Sequence, residues 1–284
     1  MSTIKVAVIV LNYRGEQVLT RCLTSLQATI QKDDVIFVVD NGREAALMAE
    51  VAHRFPQIEI LTAPENRGFA AGMNLGIQCA LKKAGFDALW LFNNDAVALP
   101  ETLSHLKAAA QSDGVQALYS PVIYPGPGQA PWFAGGELIF FRMRTQHWQA
   151  VRSEDAPYPT DFLTGCSLFI PRVAFDMLGP LDERYFLYYE DAEYSLRAKR
   201  LGIKCQVVPA ATVYHSEASR ENPAKVYWLV RSGAEFFLRE SRGWIRLWIR
   251  TYYFLRKIKN WAETRYAPRP LAREVERAYT DVSL

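Results

Sequence analysis

Three short runs of Val, Ile and other apolar residues, each ending in a polar cluster, constrain this chain more than anything else in it. Val6–Leu11 runs into Asn12-Tyr13, Val35–Val39 into Asp40-Asn41-Gly42, and Ala88–Phe92 into Asn93-Asn94-Asp95. Continuous apolar runs without alternation are the pattern of strands buried on both faces. Segments of helical spacing lie between them. Glu16–Thr29 repeats Val18, Leu19, Cys22, Leu23 and Leu26 on one face, which predicts an amphipathic helix. Glu44–Arg54 and Gly72–Ala84 also read as helices, and Ile58–Thr62 as a further strand. Strand and helix in alternation predict an α/β fold, a mostly parallel sheet with helices on both faces. Ligands of such sheets bind beyond the carboxyl ends of the strands. Asn12-Tyr13, Asp40-Asn41, Asn66-Arg67-Gly68 and Asn93-Asn94-Asp95 are therefore expected to crowd one edge.

The second half reads differently. Pro121–Pro131 is rich in Pro and Gly and is predicted to be loop. Ala134–Ala150 has strand-like content, Cys166–Ile170 reads as a strand and Arg172–Gly179 as a short helix. Glu190–Leu201 reads as a helix stopped by Gly202, Lys204–Val208 as a strand, and the chain after Pro223 as helical to about residue 262. No internal repeat is visible. With 50% apolar and 22% charged residues, a disordered or collagen-like chain is excluded. No run reaches the ~18–20 apolar residues that span a bilayer, and the N-terminus lacks a signal-peptide pattern, so a cytosolic protein is expected. The cysteines at 22, 79, 166 and 205 have neither metal-knuckle nor redox spacing and read as buried thiols.

The residues with chemical potential each carry two readings. Asp95, delivered by a strand to the sheet edge, suits a divalent cation against a diphosphate, but Asp is also a common turn residue. Asp40 suits a ribose hydroxyl or base edge, or the turn at Gly42. Leu11-Asn12-Tyr13-Arg14-Gly15 stands where a G-x-G-x-x-G would follow the first strand, which disfavours a nicotinamide dinucleotide. Asn66–Asn74 reads as a phosphate-approaching loop with Arg67, or as a capped helix start. Glu190 and Asp191, following the aromatic stretch Tyr185–Tyr189, suit a general base of raised pKa, or acids favoured by a helix dipole. His215 gains interest only if Asp95 holds a metal.

Taken in order, these segments resemble the family 2 inverting glycosyltransferases of the GT-A fold, in their bacterial rhamnosyltransferase-like branch. The carrying motifs are Val8–Tyr13, Val38–Asn41, Asn66–Gly76, Leu91–Asp95, Leu163–Cys166, Glu190–Arg197 and Val213–His215, spread over roughly residues 4 to 240. The resemblance implies a Rossmann-like, nucleotide-sugar-binding catalytic domain over 1–240 and a helical basic extension over 241–284. It implies that Asp40 contacts the base or ribose, and that Asn12, Arg67 and Asn74 line the nucleotide pocket with Tyr13, Asn41, Gly68 and Asn94. Asp95 would end the family's D-x-D element, with Asn93 replacing the first acid, and His215 would be a further metal or diphosphate contact. The implied cofactor is Mg²⁺ or Mn²⁺. Asp191, paired with Glu190, would be the base of a direct displacement at the anomeric carbon. The implied partners are a nucleoside-diphosphate sugar and a glycan or lipid-linked acceptor. Rhamnose or another deoxyhexose is the expected sugar. A UDP- or GDP-hexose enzyme and a catalytically silent binding module remain as alternatives.

Net charge is +3, yet Arg242–Arg277 holds ten Lys or Arg and three Glu, a local surplus of +7. On a helical wheel Trp244, Leu247, Trp248, Tyr252, Leu255 and Ile258 share a face, with Arg246, Arg250 and Lys257 opposite. This predicts a peripheral helix on an anionic, cytoplasmic membrane surface, against the alternative that the same face packs on the catalytic domain. A nucleic-acid partner is not expected, because no nucleic-acid motif accompanies the basic tail.

Overall fold

The computed structural model describes residues 4–83, 85–112, 116–215, 223–266 and 271–282. The first half alternates as its apolar runs require: β1 (Val6–Asn12), α1 (Leu19–Gln27), β2 (Val35–Asp40), α2 (Ala45–Arg54), β3 (Glu59–Thr62), α3 (Phe69–Lys82), β4 (Ala88–Asn93), β5 (Ala96–Ala98) and α4 (Thr102–Ser112). Then come β6 (Ala117–Tyr124), β7 (Gly136–Ile139), β8 (Arg144–His147), β9 (Tyr158–Pro159), β10 (Ser167–Pro171), α5 (Arg172–Leu178), α6 (Glu190–Arg200) and β11 (Lys204–His215). Three helices close the chain, α7 (Pro223–Glu240), α8 (Gly243–Tyr266) and α9 (Ala272–Thr280).

One nine-stranded sheet runs β3-β2-β1-β4-β10-β6-β11-β5, with β9 on β11. It is mostly parallel: β1, β2, β3, β4, β6 and β11 share a direction, and β5, β9 and β10 oppose it. Every residue of β1 is buried, which explains its unbroken apolar run. The register sets Asn12 beside Asp40 and Leu11 beside Asn93, so the polar clusters do meet at one edge. α3 packs close on this sheet because Gly72 and Gly76 have no Cβ; one there would overlap Leu11 and Ile9.

The structure corrects the sequence reading in several places. α3 starts at Phe69, ahead of the expected Gly72, because Gly68 adopts φ +97° and lets the Phe69 N–H reach the Phe186 carbonyl at 2.7 Å. Pro121 lies inside β6, where loop was expected. It pairs with Val208 at the point where the β6–β11 register shifts, and proline is tolerated in a sheet at such irregularities. Past that shift β11 continues to His215, well beyond the expected end at Val208. The closing helix is broken at Ser241–Arg242 into α7 and α8.

A second apolar cluster, separate from the sheet core, joins the far end of the chain to the middle. Phe236 and Phe237 of α7, Ile249 and Tyr253 of α8, and Tyr279 and Val282 pack with Met143, Tyr185 and Ala192. The face of α8 that packs is Ile249, Tyr253 and Asn260. The face grouped by the wheel is largely outside: Trp244, Leu247, Leu255 and Ile258 are exposed, while Tyr252 is half-buried. Of the basic tail residues, Arg269 lies outside the described residues.

Candidate active site

β4 delivers Asn93, and the chain turns through Asn94 and Asp95 into β5. β5 pairs antiparallel with the end of β11, which sets His215 opposite Ala96 and brings its Nε2 to 3.1 Å from Asp95 Oδ1. Burial would raise the Asp95 pKa, but His215 outweighs it and holds the carboxyl below its ordinary range. Burial likewise opposes a charged His215, yet the Cys166 sulfur and the Asp95 carboxylate push its pKa up to about 11. The pair is thus a cation beside an anion, at the place where the parallel strands end.

The facing wall is the start of α6. Tyr188 and Tyr189 both take left-handed backbone, φ +67° and +70°, a strained conformation for residues with a Cβ. The Tyr189 ring is wedged against Phe236 and Phe237 and against Gly233, where a Cβ would come within 2.9 Å of it. That packing fixes the entry to the helix and so aims Glu190 and Asp191. Asp191 Oδ2 accepts the Gly165 N–H at 2.9 Å and Oδ1 accepts the Ala192 N–H at 2.8 Å. Ser195 ties the same turn, donating to the Asp191 carbonyl and accepting the Leu163 N–H. Burial pushes both carboxyls up, and the neighbouring Asp191 charge pushes Glu190 well above the usual range. The Glu190 Oε2 is buried without a hydrogen-bond partner. Of the two adjacent carboxyls, Glu190 is driven further toward its neutral form, by burial and by the Asp191 charge.

These walls enclose a cleft of about 880 Å³. Of the residues anticipated from sequence, Tyr13, Asn94, Asp95, Glu190, Asp191 and His215 line it. Asn12, Asp40, Asn41, Arg67, Gly68 and Asn74 do not line it. Asn12 accepts the Asn94 amide and donates to Glu44, both at 2.9 Å. Asp40 accepts the Gly42 and Glu44 N–H groups, and Asn41 donates to Asn66 and the Gly68 carbonyl. Arg67 is exposed and paired with Glu183 at 3.1 Å. Asn74 is buried, with its amide spent on Leu181 and Glu183.

The cleft also contains residues to which sequence reasoning gave no part. Lys225, near the start of α7, faces Asp95 closely enough to stabilise its negative charge; nothing in a helical segment ten residues past His215 advertises it. Trp132 and Phe162 supply aromatic surface, and Thr145, Gln146 and His147 bring one strand of the β7–β8 hairpin to the cleft. Gly165 stood within a recognisable segment, but its role as a donor to Asp191 required the fold.

No group of three or more His, Cys, Asp or Glu among the described residues forms a metal cluster. Asp95 fits a divalent cation whose remaining ligands come from elsewhere, and His215 would join it only as a neutral imidazole, giving up the proton that pairs it with Asp95. Asp95 Oδ1 is buried without an aligned hydrogen bond, and Mg²⁺-type sites commonly use one or two carboxylates with substrate phosphates.

Comparison with known proteins supplies a family and a fold. The profile of the Glycosyltransferase like family 2 matches residues 4–230. An N-acetylglucosaminyl-diphospho-decaprenol L-rhamnosyltransferase of Mycobacterium tuberculosis is 26% identical over 263 residues, 84% of this chain and 86% of that one. A dTDP-rhamnosyl transferase of Shigella flexneri is 21% identical over 230 residues, 77% of this chain and 75% of that one. Among solved structures, GalNAc-T7 with UDP, GalNAc and Mn²⁺ superposes with a TM-score of 0.65 at 14% identity, over 93% of this chain and 58% of that one.

Proposed function

This chain belongs to the family 2-like glycosyltransferases and has their GT-A fold, and from that premise we propose that it moves rhamnose or another deoxyhexose from a nucleoside-diphosphate donor to a glycan or lipid-linked acceptor, with inversion, in cell-surface polysaccharide synthesis. The observation that carries this reading is one cleft with the buried Glu190 and the half-buried Asp191 on one wall and Asp95, His215 and Lys225 on the other. The sugar and the lipid-linked acceptor are drawn from the names of the rhamnosyltransferase relatives.

The chemistry assigned to the chain is a single displacement. Asp191 takes the proton of the acceptor hydroxyl, whose oxygen bonds to the anomeric carbon as the bond from that carbon to the diphosphate oxygen breaks. Its two N–H bonds, from Gly165 and Ala192, fix the carboxylate in place, and its raised pKa makes it a stronger base. Glu190 stays neutral and spares Asp191 a second adjacent charge. No nucleophilic side chain is needed, so the anomeric centre inverts. On the leaving-group side Lys225 and Arg14 supply positive charge within the cleft. Asp95 and His215 would hold Mg²⁺ or Mn²⁺, whose charge when bound offsets that gathering on the departing diphosphate. We assign donor contacts to Tyr13 and Asn94 on the cleft wall. Base or ribose contacts go to Asp40 and to Asn41, whose Oδ1 is buried and unpartnered, with Asn12, Arg67, Gly68 and Asn74 shaping that end of the pocket.

We take residues 1–240 as the catalytic unit and 241–284 as its extension, and place the enzyme on the cytoplasmic side, peripheral to the membrane. The test is thermal unfolding with a panel of donors. A donor at 100 times its Kd raises stability by about 2.7 kcal/mol. The reading expects dTDP-rhamnose to do this and to be turned over. Stabilisation and turnover by UDP- or GDP-hexoses instead assigns a hexose donor, and stabilisation without turnover by any donor marks a silent binding module.

A further inference from the structure

α8 is apolar on two opposite faces. Its inner face is spent in the second cluster, through Ile249 and Tyr253. Its outer face groups Trp244, Leu247, Phe254, Leu255, Ile258 and Trp261 on one side of the helical wheel, and all six are exposed, Trp244 by 70% and Leu247 by 68%. The helix has 24 residues, so this stripe runs along an element about 36 Å long. Soluble monomers seldom leave so continuous an apolar strip in water. At its edge Trp248 stacks on Phe141, with ring centroids 5.1 Å apart and planes within 5°, and donates its indole N–H to the Phe141 carbonyl at 3.1 Å. Phe141 is itself exposed, so the β7–β8 turn prolongs the patch. The other end of that hairpin lines the cleft.

The charge around the stripe identifies its partner. Between Gly243 and Tyr266 there are six Lys or Arg and one acid, Glu263. Arg246 and Arg250 are exposed; on a wheel of 100° per residue Arg250 borders one margin of the stripe with Arg246 further round on the same side, and Lys259 borders the other. A second copy of this chain seated face to face would set these cations against themselves. An anionic surface complements them. No helix among the described residues is long and apolar enough to cross a membrane.

We propose that the outer face of α8, with the Phe141 turn, lies in the plane of an anionic lipid bilayer. The indole rings sit at headgroup depth, the aliphatic side chains reach the acyl boundary, and the flanking Arg and Lys meet anionic headgroups. The surface deepens the proposed lipid-linked acceptor and rests on that reading only for its purpose. It places the hairpin side of the cleft nearest the membrane, where such an acceptor is anchored.

Flotation of the full-length protein with vesicles tests this. Binding is expected to phosphatidylcholine vesicles containing phosphatidylglycerol, weakening as salt rises, with little binding to pure phosphatidylcholine. Arg246→Gln and Arg250→Gln should each lower the partition coefficient about five-fold, as ~1 kcal/mol per basic residue requires. Leu247→Ser with Leu255→Ser should abolish binding and leave the melting temperature and the turnover of dTDP-rhamnose with a water-soluble acceptor unchanged. Intact protein that ignores the anionic vesicles at low salt overturns the proposal. So does a concentration-dependent dimer that the serine variant dissolves, because the face then belongs to a second copy. Turnover without vesicle binding defeats the surface alone, and vesicle binding without turnover of any donor defeats the proposed function alone.

Discussion

Replacing each carboxyl of the Glu190–Asp191 pair separately should have opposite consequences. Asp191 accepts two backbone N–H groups, one on each oxygen. The amide of Asp191→Asn keeps one of these bonds. In either orientation its NH₂ faces the other N–H, and leaving that donor unpaired costs about 1–3 kcal/mol of stability. Loss of the base should lower kcat/KM by ~10²–10⁴, far more than such a structural loss alone, while donor binding survives. Glu190→Gln mimics the neutral state that burial and the Asp191 charge already impose on Glu190, and should stay near the wild-type rate.

Their pH dependences separate the roles further. Transfer should rise with pH through the raised Asp191 pKa, because the base must be ionised. Stability runs the other way. Glu190 is raised in the folded state, so its contribution is complete below its ordinary value of 4.5 and is lost as pH climbs through the raised value. Glu190→Gln should flatten that alkaline loss. The assay pairs kcat/KM against pH, with dTDP-rhamnose and a soluble acceptor ending in N-acetylglucosamine, with thermal melts across the same range. An active Asp191→Asn beside a dead Glu190→Gln would refute the assignment.

Three further outcomes follow from the geometry. Lys107→Met strands Asp34, which is 1% exposed and bonded to the lysine at 2.8 Å; urea unfolding should show a loss of about 3–5 kcal/mol, and a change below 1 kcal/mol would contradict it. Gly233→Val drives a branched side chain into the Tyr189 ring, so kcat should fall with little change in the donor-induced thermal shift, whereas unchanged kcat would mean Tyr189 does not aim the pair. Asp95→Ala should abolish Mg²⁺ or Mn²⁺ dependence and most activity, and full wild-type activity in excess chelator would shift the leaving-group role onto Lys225 and Arg14.

The parallel half of the sheet was readable because burial on both faces writes itself as unbroken apolar runs, and because such strands present their ends together. Tyr13, Asn94 and Asp95 could be placed at one edge in advance for that reason, whereas Glu190, Asp191 and His215 entered the same site through the family resemblance. What escaped depends on contacts between distant segments. Pro121 sits in β6 only because β11 shifts register beside it. His215 reaches Asp95 through the β5–β11 pairing, which a three-residue strand scarcely signals. The left-handed Tyr189 is held by Gly233, Phe236 and Phe237, more than forty positions away. In α8 the helical period was legible, but two apolar faces compete there, and only the position of α7 and α9 decides which one is buried.

The central claim is a single displacement driven by Asp191 in this cleft. Its most direct test is the anomeric configuration of the transferred sugar. Proton NMR of the product formed from dTDP-rhamnose and the N-acetylglucosamine acceptor should show the configuration inverted relative to the donor. A product that retains the donor configuration requires a second displacement or a different attack geometry, and would contradict the account.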